Sequence, residues 1–395
     1  MSGALSTAAE NFSIIRGGPF HRVLELIGPA NNERQRVINR ALVAVLICWL
    51  PLLVLSFVQG IAFDSNVAIP FLRDYAVHLR FLVALPILIL SETPIDRRWR
   101  DLAQEFLRTG LITTVEAPSF DRLMLRIARL RDFPLPEIIM LALAYVPPLF
   151  LGNAALPLNK FSSWHTVGIS SPQTTMAGWW FWLVSAPLFR FLLLRWIWRM
   201  FLWTLFLWRT SRLKLYLVAT HTDLAAGLGF LSEGQRAYAP IVFAGGVVIG
   251  GAVLNAVRYE GQTLSSLKTP MIAYGVIAIA LLVVPLLVVS PALAVVKRKA
   301  LREYGALVTR HNHQFDGKWI QAEDASHESI LGNPDASSLV DLGSSFTVIR
   351  QMRIVPIDKP TLFSLALAAA LPMIPVIVLT TPVDEIVHAV LKMLG

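Results

Sequence analysis

The stretch 177–208, AGWWFWLVSAPLFRFLLLRWIWRMFLWTLFLW, decides the class of fold. It is an apolar run that carries three arginines, and it holds seven of the 11 tryptophans. Because tryptophan concentrates where hydrocarbon meets lipid headgroups, the tryptophans near the two ends indicate the rims of one bilayer crossing. Arg190 lies between them, about 16 Å from Trp179 along an upright helix. A guanidinium at that depth is costly unless it is paired or hydrated, so Arg190 is a candidate functional residue.

The composition of the whole chain indicates the same class. Of 395 residues, 55% are apolar and only 15% are charged, whereas a soluble protein would leave apolar runs of this length unexplained. The single cysteine, Cys48, rules out an internal disulfide and a cysteine-based metal cluster. Residues 1–36 contain no continuous apolar run, so we expect no cleaved signal peptide.

Apolar segments recur along the chain and predict an all-α polytopic integral membrane protein with about seven transmembrane helices. The segments are 41–63, 69–90, 136–151, 177–208, 238–257, 270–296 and 362–380. With the N-terminus inside, 26 of the 35 lysines and arginines fall in inner segments and five in outer ones. This asymmetry favours an N-inside, multi-pass protein of the cell inner membrane. It also explains the net charge of +9 without a nucleic-acid partner.

The polar stretches suggest how the chain is organised. We predict a cytoplasmic N-terminal segment 1–40, a six-helix transmembrane core 41–296, a cytoplasmic loop 297–359, and a final helix with a short tail over 360–395. Within the core, 92–135 carries eight arginines and apolar residues at helical spacing. Such a pattern is typical of amphipathic helices on the cytoplasmic face, lying against the membrane or packed on each other.

The segment 238–257 contains glycines at 245, 246, 250 and 251. Small residues four and five positions apart allow another helix to approach closely. We therefore expect Gly245, Gly246, Gly250 and Gly251 to mediate helix packing, either within the chain or between copies in a homo-oligomer.

Charged side chains inside the apolar segments are the main functional signal. Asp74, His78 and Arg80 fall in segment 69–90, and Arg80 is expected at the same depth as Arg190. One interpretation is a structural ion pair between Asp74 and one arginine. One acid cannot balance two arginines and a histidine, however. Our hypothesis is that Arg80, Arg190 and His78 line an anion-selective or proton-coupled passage, and that Asp74, one helical turn away, sets the protonation of His78.

Two further arginines lie near the inner end of the same tryptophan-rich segment. Arg195 and Arg199 are one helical turn apart, close to the inner rim. We expect them to anchor the helix to lipid headgroups, as inner-face arginines commonly do.

Outside the membrane segments, the best candidate site is formed by His221, Asp223, Gly227 and Gly229. A phosphate or nucleotide could bind such a loop, but the third glycine of a dinucleotide fingerprint and the lysine of a phosphate loop are missing. The pattern favours a helix-capping turn.

The histidines of the predicted loop 297–359 do not make a convincing metal site. His311 and His313 are two positions apart and share a face only in an extended strand, so we predict no metal there. No hydrolase, metalloprotease or nucleotide-binding motif is present, and we predict neither catalytic residues nor a cofactor.

Three classes of function fit this pattern. A membrane channel or transporter for a small ion or small anionic solute explains the intramembrane charges, the glycine-rich segment and the helix-interrupting prolines. A membrane-embedded enzyme acting on a lipid-like substrate would instead need carboxylates converging on a lateral opening. A signalling or effector membrane protein would work through its cytoplasmic loops. The first class is our prediction, and we expect an enzyme less than a transporter.

Overall fold

The fold is helical throughout. The computed structural model describes residues 7–10, 12–26, 32–63, 67–146, 163–167, 173–321, 330 and 332–380. It is 76% helical, and the strands within these residues are limited to one antiparallel pair, β1 (Thr166–Val167) and β2 (Gln173–Thr174), in which Thr166 lies opposite Thr174. The predicted all-α class is confirmed.

The helices of the described residues are numbered in chain order. They are α1 (Thr7–Glu10), α2 (Pro19–Leu26), α3 (Glu33–Cys48), α4 (Leu50–Val58), α5 (Tyr75–His78), α6 (Leu85–Leu90), α7 (Glu92–Arg108), α8 (Ala117–Asp132), α9 (Pro134–Val146), α10 (Met176–Trp180), α11 (Ala186–Thr210), α12 (Phe230–Arg236), α13 (Ala239–Tyr259), α14 (Leu264–Leu287), α15 (Ser290–Trp319), α16 (Pro334–Gln351), α17 (Lys359–Ala370) and α18 (Met373–Thr380). Two π-helical turns are named π1 (Leu79–Ala84) and π2 (Phe181–Ser185).

Several of these helices join into elements long and apolar enough to cross a membrane. Within the described residues the five continuous ones are Glu33–Val58, Tyr75–Arg108, Met176–Thr210, Phe230–Tyr259 and Leu264–Leu287. The pair α17 and α18, bent by 42° at a short break, makes a sixth candidate, and α9 is apolar but shorter. The expectation of a helical protein with several helices able to span a membrane is therefore confirmed. The predicted segment 136–151 begins as α9, and its residues 147–151 lie outside the described part.

Prolines explain where the long helices change their geometry. π1 and π2 are each followed by a helix with proline at its second position, Pro86 in α6 and Pro187 in α11. Proline lacks the N–H that an α-helix needs and its ring crowds the preceding turn, and a π-turn with one extra residue relieves that crowding. Both π-turns lie inside membrane-spanning candidates, as does the break at Leu371 and Pro372.

The start of the second span differs from the prediction. The helix begins at Tyr75, and a 3-10 turn over Phe71–Arg73 precedes it. Asp74 is the residue before the first helical turn, and its carboxylate accepts the backbone N–H of Val77 at 3.1 Å. Aspartate is favoured at this N-cap position because it satisfies an otherwise unpaired N–H group. The expectation that Asp74 lies within the helix is wrong.

The region after α14 is also more ordered than a loop. The predicted segment 270–296 spans two helices, because α14 ends at Leu287 and α15 begins at Ser290. α15 continues to Trp319 and packs along α16 as a hairpin, with Lys318 Nζ donating to Asp335 Oδ2 at 2.8 Å. The predicted loop 297–359 therefore contains most of this helical hairpin.

α13 lies at the centre of the bundle, and its glycines are the reason that neighbours come close. A Cβ on Gly246 or Gly250 would lie 2.9 Å or 3.3 Å from atoms of Pro372 in the bent α17–α18 pair. A Cβ on Gly251 would lie 3.0 Å from a backbone carbon of α5, and Gly245 lies against α14. All four predicted packing glycines thus contact helices of the same chain.

Both predicted amphipathic helices are present: α7 is the last part of the continuous helical element Tyr75–Arg108, and α8 follows it. Their apolar stripes are buried against α11. Trp99 of α7 stacks on Trp203 with ring centroids 5.5 Å apart, and Phe120 of α8 lies 5.7 Å from Phe206. The N-terminal segment covers α7 on another side, where Ser13 Oγ donates to Asp96 Oδ1 at 2.5 Å.

Candidate functional site

The first polar cluster in the bundle is centred on Asp74, whose residue surface is only 3% exposed. Besides Val77 N, Oδ1 accepts a hydrogen bond from Asn255 Nδ2 at 2.8 Å. Oδ2 accepts one from Trp164 Nε1 at 2.8 Å and lies 3.9 Å from His165 Nε2. A buried carboxylate needs such donors to remain charged. Asp74 therefore ties residues 163–167 to α5 and α13.

His165 stays neutral in this cluster at ordinary pH. Its burial lowers its pKa to about 4, and the charge on Arg80 adds to that effect, although the Asp74 carboxylate opposes it. Its Nδ1 lies 2.6 Å from Ser163 Oγ. Burial therefore disfavours the charged form of His165 at its contact with Asp74.

His78 has a different partner from the one we expected. Its Nδ1 accepts a hydrogen bond from Trp49 Nε1 at 3.0 Å, and its ring lies edge-on to Phe71. Because an imidazole nitrogen that accepts a hydrogen bond carries no proton, the proton of neutral His78 is on Nε2. The histidine beside Asp74 is His165, whose Nε2 lies 3.9 Å from Asp74 Oδ2.

Arg80 and Arg190 are the two predicted pathway arginines, and neither forms an ion pair with a carboxylate among the described residues. The Arg80 Cζ lies 5.8 Å from the ring centre of Phe189, and Arg80 Nε is buried without a hydrogen-bond acceptor in that part of the chain. Arg190 is half-buried, and its Nη1 donates to the carbonyl oxygen of Ala144 at 3.2 Å. Its Cζ lies 5.9 Å from the Trp182 ring. Aromatic faces stabilise a guanidinium but do not neutralise it.

The second polar cluster lies toward the other end of the bundle and is centred on Glu92. Arg199 Nη2 donates to Glu92 Oε1 at 2.8 Å, and Arg195 Nη1 lies 3.8 Å from the same oxygen. Arg195 Nε lies 3.9 Å from Glu137 Oε1. Arg195 and Arg199 are only 4% and 3% exposed. The expectation that they anchor lipid headgroups is wrong, because acids on α7 and α9 draw both side chains into the bundle.

Arg195 is enclosed by this cluster yet not fully satisfied. Its Cζ lies 4.7 Å from the ring centre of Phe20, and Phe20 N donates to Glu137 Oε2 at 2.7 Å. Its Nη1 has no hydrogen-bond acceptor among the described residues. A buried polar group in this condition is expected to have a water or a ligand as its partner.

Two cavities adjoin the two carboxylates that Arg195 approaches. On the Glu92 side is a small polar cavity of about 80 Å³, lined mainly by charged residues of the N-terminal segment, α3 and α7. On the Glu137 side is an apolar groove of about 540 Å³ between α3, α9, π2 and α11. Tyr145, whose hydroxyl donates to Leu183 O at 2.9 Å, is the other polar residue lining that groove. Arg195 thus lies between two carboxylates, of which Glu92 lines a polar cavity and Glu137 lines an apolar groove.

The predicted loop site around Asp223 is internally satisfied. The Asp223 carboxylate accepts the backbone N–H groups of Ala225 at 2.8 Å, Gly227 at 3.2 Å and Gly229 at 2.7 Å. His221 Nδ1 lies 2.9 Å from Oδ1. Burial raises the pKa of Asp223, but these hydrogen bonds outweigh it and hold the pKa below its usual value. The carboxylate occupies the N–H groups that a phosphate would need, which favours the interpretation as a turn.

Left-handed backbone conformations make this turn possible. Leu224 and Ala226 have φ of 57° and 55°, and Gly227 has φ of 94°. Non-glycine residues adopt this region only when their surroundings hold them there. Arg353 holds the turn in this conformation from outside. Its Nη2 donates to Asp223 O at 2.8 Å, and its backbone N–H donates to Leu224 O at 2.6 Å.

The histidines of the α15–α16 hairpin are not gathered around a common point. His311 Nε2 lies 3.1 Å from Ser338 Oγ, and His313 is on another side of the same helix. Across the described ranges, no group of three His, Cys, Asp or Glu side chains is arranged to hold a metal ion.

Sequence reasoning missed the residues that complete both clusters. Trp164 and His165 lie in a polar stretch and show no pattern, whereas Asn255 is an isolated amide in an apolar helix and could have been noticed. Glu92 was visible at the end of a span, but its partner Arg199 is 107 positions away. No protein-family model, curated protein or solved structure matches the chain.

Proposed function

We propose that the chain is a membrane channel or transporter that binds a small anionic solute at guanidinium groups inside its helix bundle. The observation that carries this proposal is that Arg80 Nε is buried and lacks a hydrogen-bond acceptor among the described residues. Leaving a buried donor unpaired costs about 1–3 kcal/mol, and more when the group is charged. An anion that visits this group would remove that cost.

The proposed topology has the N-terminus inside, seven crossings, and the cell inner membrane as the location. The five continuous spans and the bent α17–α18 pair are candidates for six of these crossings. The proposed seventh includes α9, which is apolar but shorter. In this orientation the Asp74 cluster faces the outer side and the Glu92 cluster the inner side. Arg80 and Arg190 lie between them along the second and fourth crossings.

The charges along that path favour an anion over a cation. Asp74 is held by hydrogen-bond donors and Glu92 by two arginines, so both acids are already engaged. The groups that contact Arg80 and Arg190 among the described residues are aromatic rings and one carbonyl oxygen, and Asp74 attracts Arg80 only over a longer distance. In the low dielectric of the bundle a positive charge that no carboxylate contacts attracts anions and repels cations strongly.

The backbone beside these arginines also supports movement of a solute. Arg80 lies within π1, and π2 ends five residues before Arg190. π-turns and proline breaks leave helices with fewer regular hydrogen bonds, and they recur where transport proteins open and close.

Flux measurements test this proposal. Purified protein in liposomes is given gradients of chloride, nitrate and small carboxylates, and Arg80→Gln and Arg190→Gln are compared with the unmodified chain. The control is Arg209→Gln, which removes an exposed guanidinium that lies 5.0 Å from the Trp208 ring at the end of α11. We expect anion flux to fall by about tenfold or more in Arg80→Gln, equivalent to ~1.4 kcal/mol, and to be unchanged in the control. Unchanged flux and selectivity in both pathway variants would remove the proposal.

A second function, modification of a lipid-like substrate, is favoured by the groove beside Glu137. Its volume of about 540 Å³ falls in the range of ~300–1,000 Å³ usual for ligand sites. Glu137 gives this apolar groove a carboxylate, and Arg195 connects it to Glu92. Mass spectrometry of inner-membrane lipids incubated with the protein tests this function. Conversion of a lipid that is lost in Glu137→Gln would favour the enzyme, and absence of any product would dismiss it.

A further inference from the structure

The first turns of α15 carry an exposed basic face, close to the point where the membrane-spanning candidate α14 ends. Four exposed residues, three or four positions apart and therefore on one side of the helix, form this face: Val295, Arg298, Lys299 and Arg302. Together with Glu303 they line an open depression of about 370 Å³. The buried residues of α15, Leu293 and Ala300, lie on the opposite side of the helix.

The positive charge of this basic face is not cancelled by the groups around it. Three cations and one acid line the depression. Lys299 Nζ lies 3.8 Å from Glu303 Oε1, but both side chains are well exposed, and an exposed ion pair contributes little. Arg298 Nε donates to the carbonyl oxygen of Ala294 at 3.3 Å. In the described part of the chain, neither Arg298 nor Arg302 forms an ion pair with a carboxylate, so both remain available to an anion.

Exposed apolar side chains lead from α14 directly to the basic face. Leu287 at the end of α14 is 46% exposed and Val295 is 56% exposed. The neighbouring span α11 ends at the same level, because Ser211 Oγ donates to Val288 O at 3.4 Å. Trp208, one turn before Ser211, is partly exposed, and tryptophan concentrates at the level of lipid headgroups. The long basic side chains just beyond Val295 can therefore reach the headgroup layer.

We propose that the basic face of α15 binds the phosphate of a phospholipid with a net negative charge, whose acyl chains lie against the exposed apolar side of α14. Basic residues clustered at the end of a span attract anionic lipids in this way. A soluble acidic partner would use the cations but not the apolar approach past Leu287 and Val295. The site supplies the headgroup contact that we expected of Arg195 and Arg199. The proposal rests on α14 crossing the membrane, and it does not depend on anion flux.

Titration of the full chain in detergent micelles with phosphatidylglycerol or phosphatidylcholine, followed by native mass spectrometry, tests the proposal. We expect phosphatidylglycerol to bind more tightly than zwitterionic phosphatidylcholine, and its binding to weaken as the ionic strength rises. Arg302→Gln should weaken phosphatidylglycerol binding by about fivefold, equivalent to ~1 kcal/mol for one basic residue near the membrane surface. Arg302→Lys keeps the charge and should bind as the unmodified protein does.

The matched control is Arg310→Gln, which removes the same exposed group from the same helix. Arg310 lies about 12 Å beyond Arg302 along α15, farther than the screening length of ~8 Å at physiological ionic strength, so we expect phosphatidylglycerol binding to be unchanged. A preference for phosphatidylglycerol that is lost in Arg302→Gln and kept in Arg310→Gln supports the proposal. Equal affinity of the unmodified protein for both lipids, equal weakening in the two glutamine variants, or displacement of the lipid by an equal concentration of inorganic phosphate would overturn it.

Discussion

Glu92→Gln perturbs the buried ionic cluster while keeping the size of the side chain. Glu92 is 6% exposed, and it is the common partner of Arg199 at 2.8 Å and Arg195 at 3.8 Å. Removing one member of a buried ion pair usually costs about 3–5 kcal/mol, because the remaining charge stays buried without compensation. The glutamine oxygen can still accept the Arg199 hydrogen bond, so we expect a loss near the lower limit, about 3 kcal/mol.

The free energy of unfolding in mixed micelles, followed by tryptophan fluorescence, measures this loss. The matched control is Glu233→Gln, which removes the same group from an ion pair with Arg98 at the surface, where the two side chains are 64% and 34% exposed. Exposed ion pairs contribute little, so the control should lose less than about 1 kcal/mol.

A double-mutant cycle shows whether the loss comes from the pair itself. Combining Glu92→Gln with Arg199→Gln removes both charges, so the double variant should lose less stability than the sum of the two single variants. If Glu92→Gln costs no more than the surface control, or if the two losses are additive, the buried cluster does not stabilise the bundle as the geometry requires.

Two further variants test local features of the fold. Asp223→Asn should lower the free energy of unfolding at pH 7. In the folded protein the pKa of Asp223 is lowered from 3.8. The carboxylate therefore contributes stability above pH 3.8, and this contribution is lost as the pH falls through the pKa of the folded state. The difference from the unmodified chain should therefore shrink in acid unfolding measurements below about pH 3.8, and a pH-independent difference would contradict this. Gly251→Ala should lower the melting temperature through overpacking worth about 1–3 kcal/mol, because the added Cβ would lie 3.0 Å from Ala76 Cα. Gly275→Ala, with nothing within 4 Å, is the control, and equal melting temperatures would show that α5 and α13 are not packed so closely.

The helical class was predictable because the signals that determine it are local. Long apolar runs, periodic stripes in α7 and α8, and spaced glycines in α13 can all be recognised within a window of about 20 residues. The Asp223 turn was predictable for the same reason, since aspartate and glycine at these spacings favour capping. Asp74 shows the same chemistry, because aspartate is a favoured residue at the N-cap of a helix.

The partners of the charged residues were not predictable, because they depend on distant parts of the chain. Arg195 and Arg199 have the spacing of headgroup anchors, and only the packing of α7 and α9 beside α11 shows that Glu92 and Glu137 neutralise them. Arg190 was correctly singled out as unusual, yet sequence could not reveal that the Ala144 carbonyl would accept its hydrogen bond.

Arg80 is consequently the more informative of the two pathway arginines. It is the one with a buried nitrogen that lacks an acceptor within the described ranges, and it lies in a π-turn. We propose that Arg80 carries a positive charge that no carboxylate contacts, and that an anion is its partner.

The most direct measurement is a diffraction experiment on crystals grown in bromide, with the anomalous signal of bromide used to locate bound anions. We expect an anomalous peak within hydrogen-bonding distance of Arg80 Nε, which is lost in Arg80→Gln while peaks at surface arginines remain. Bromide bound only at the surface, with an ordered water joining Arg80 Nε to a backbone carbonyl, would contradict it.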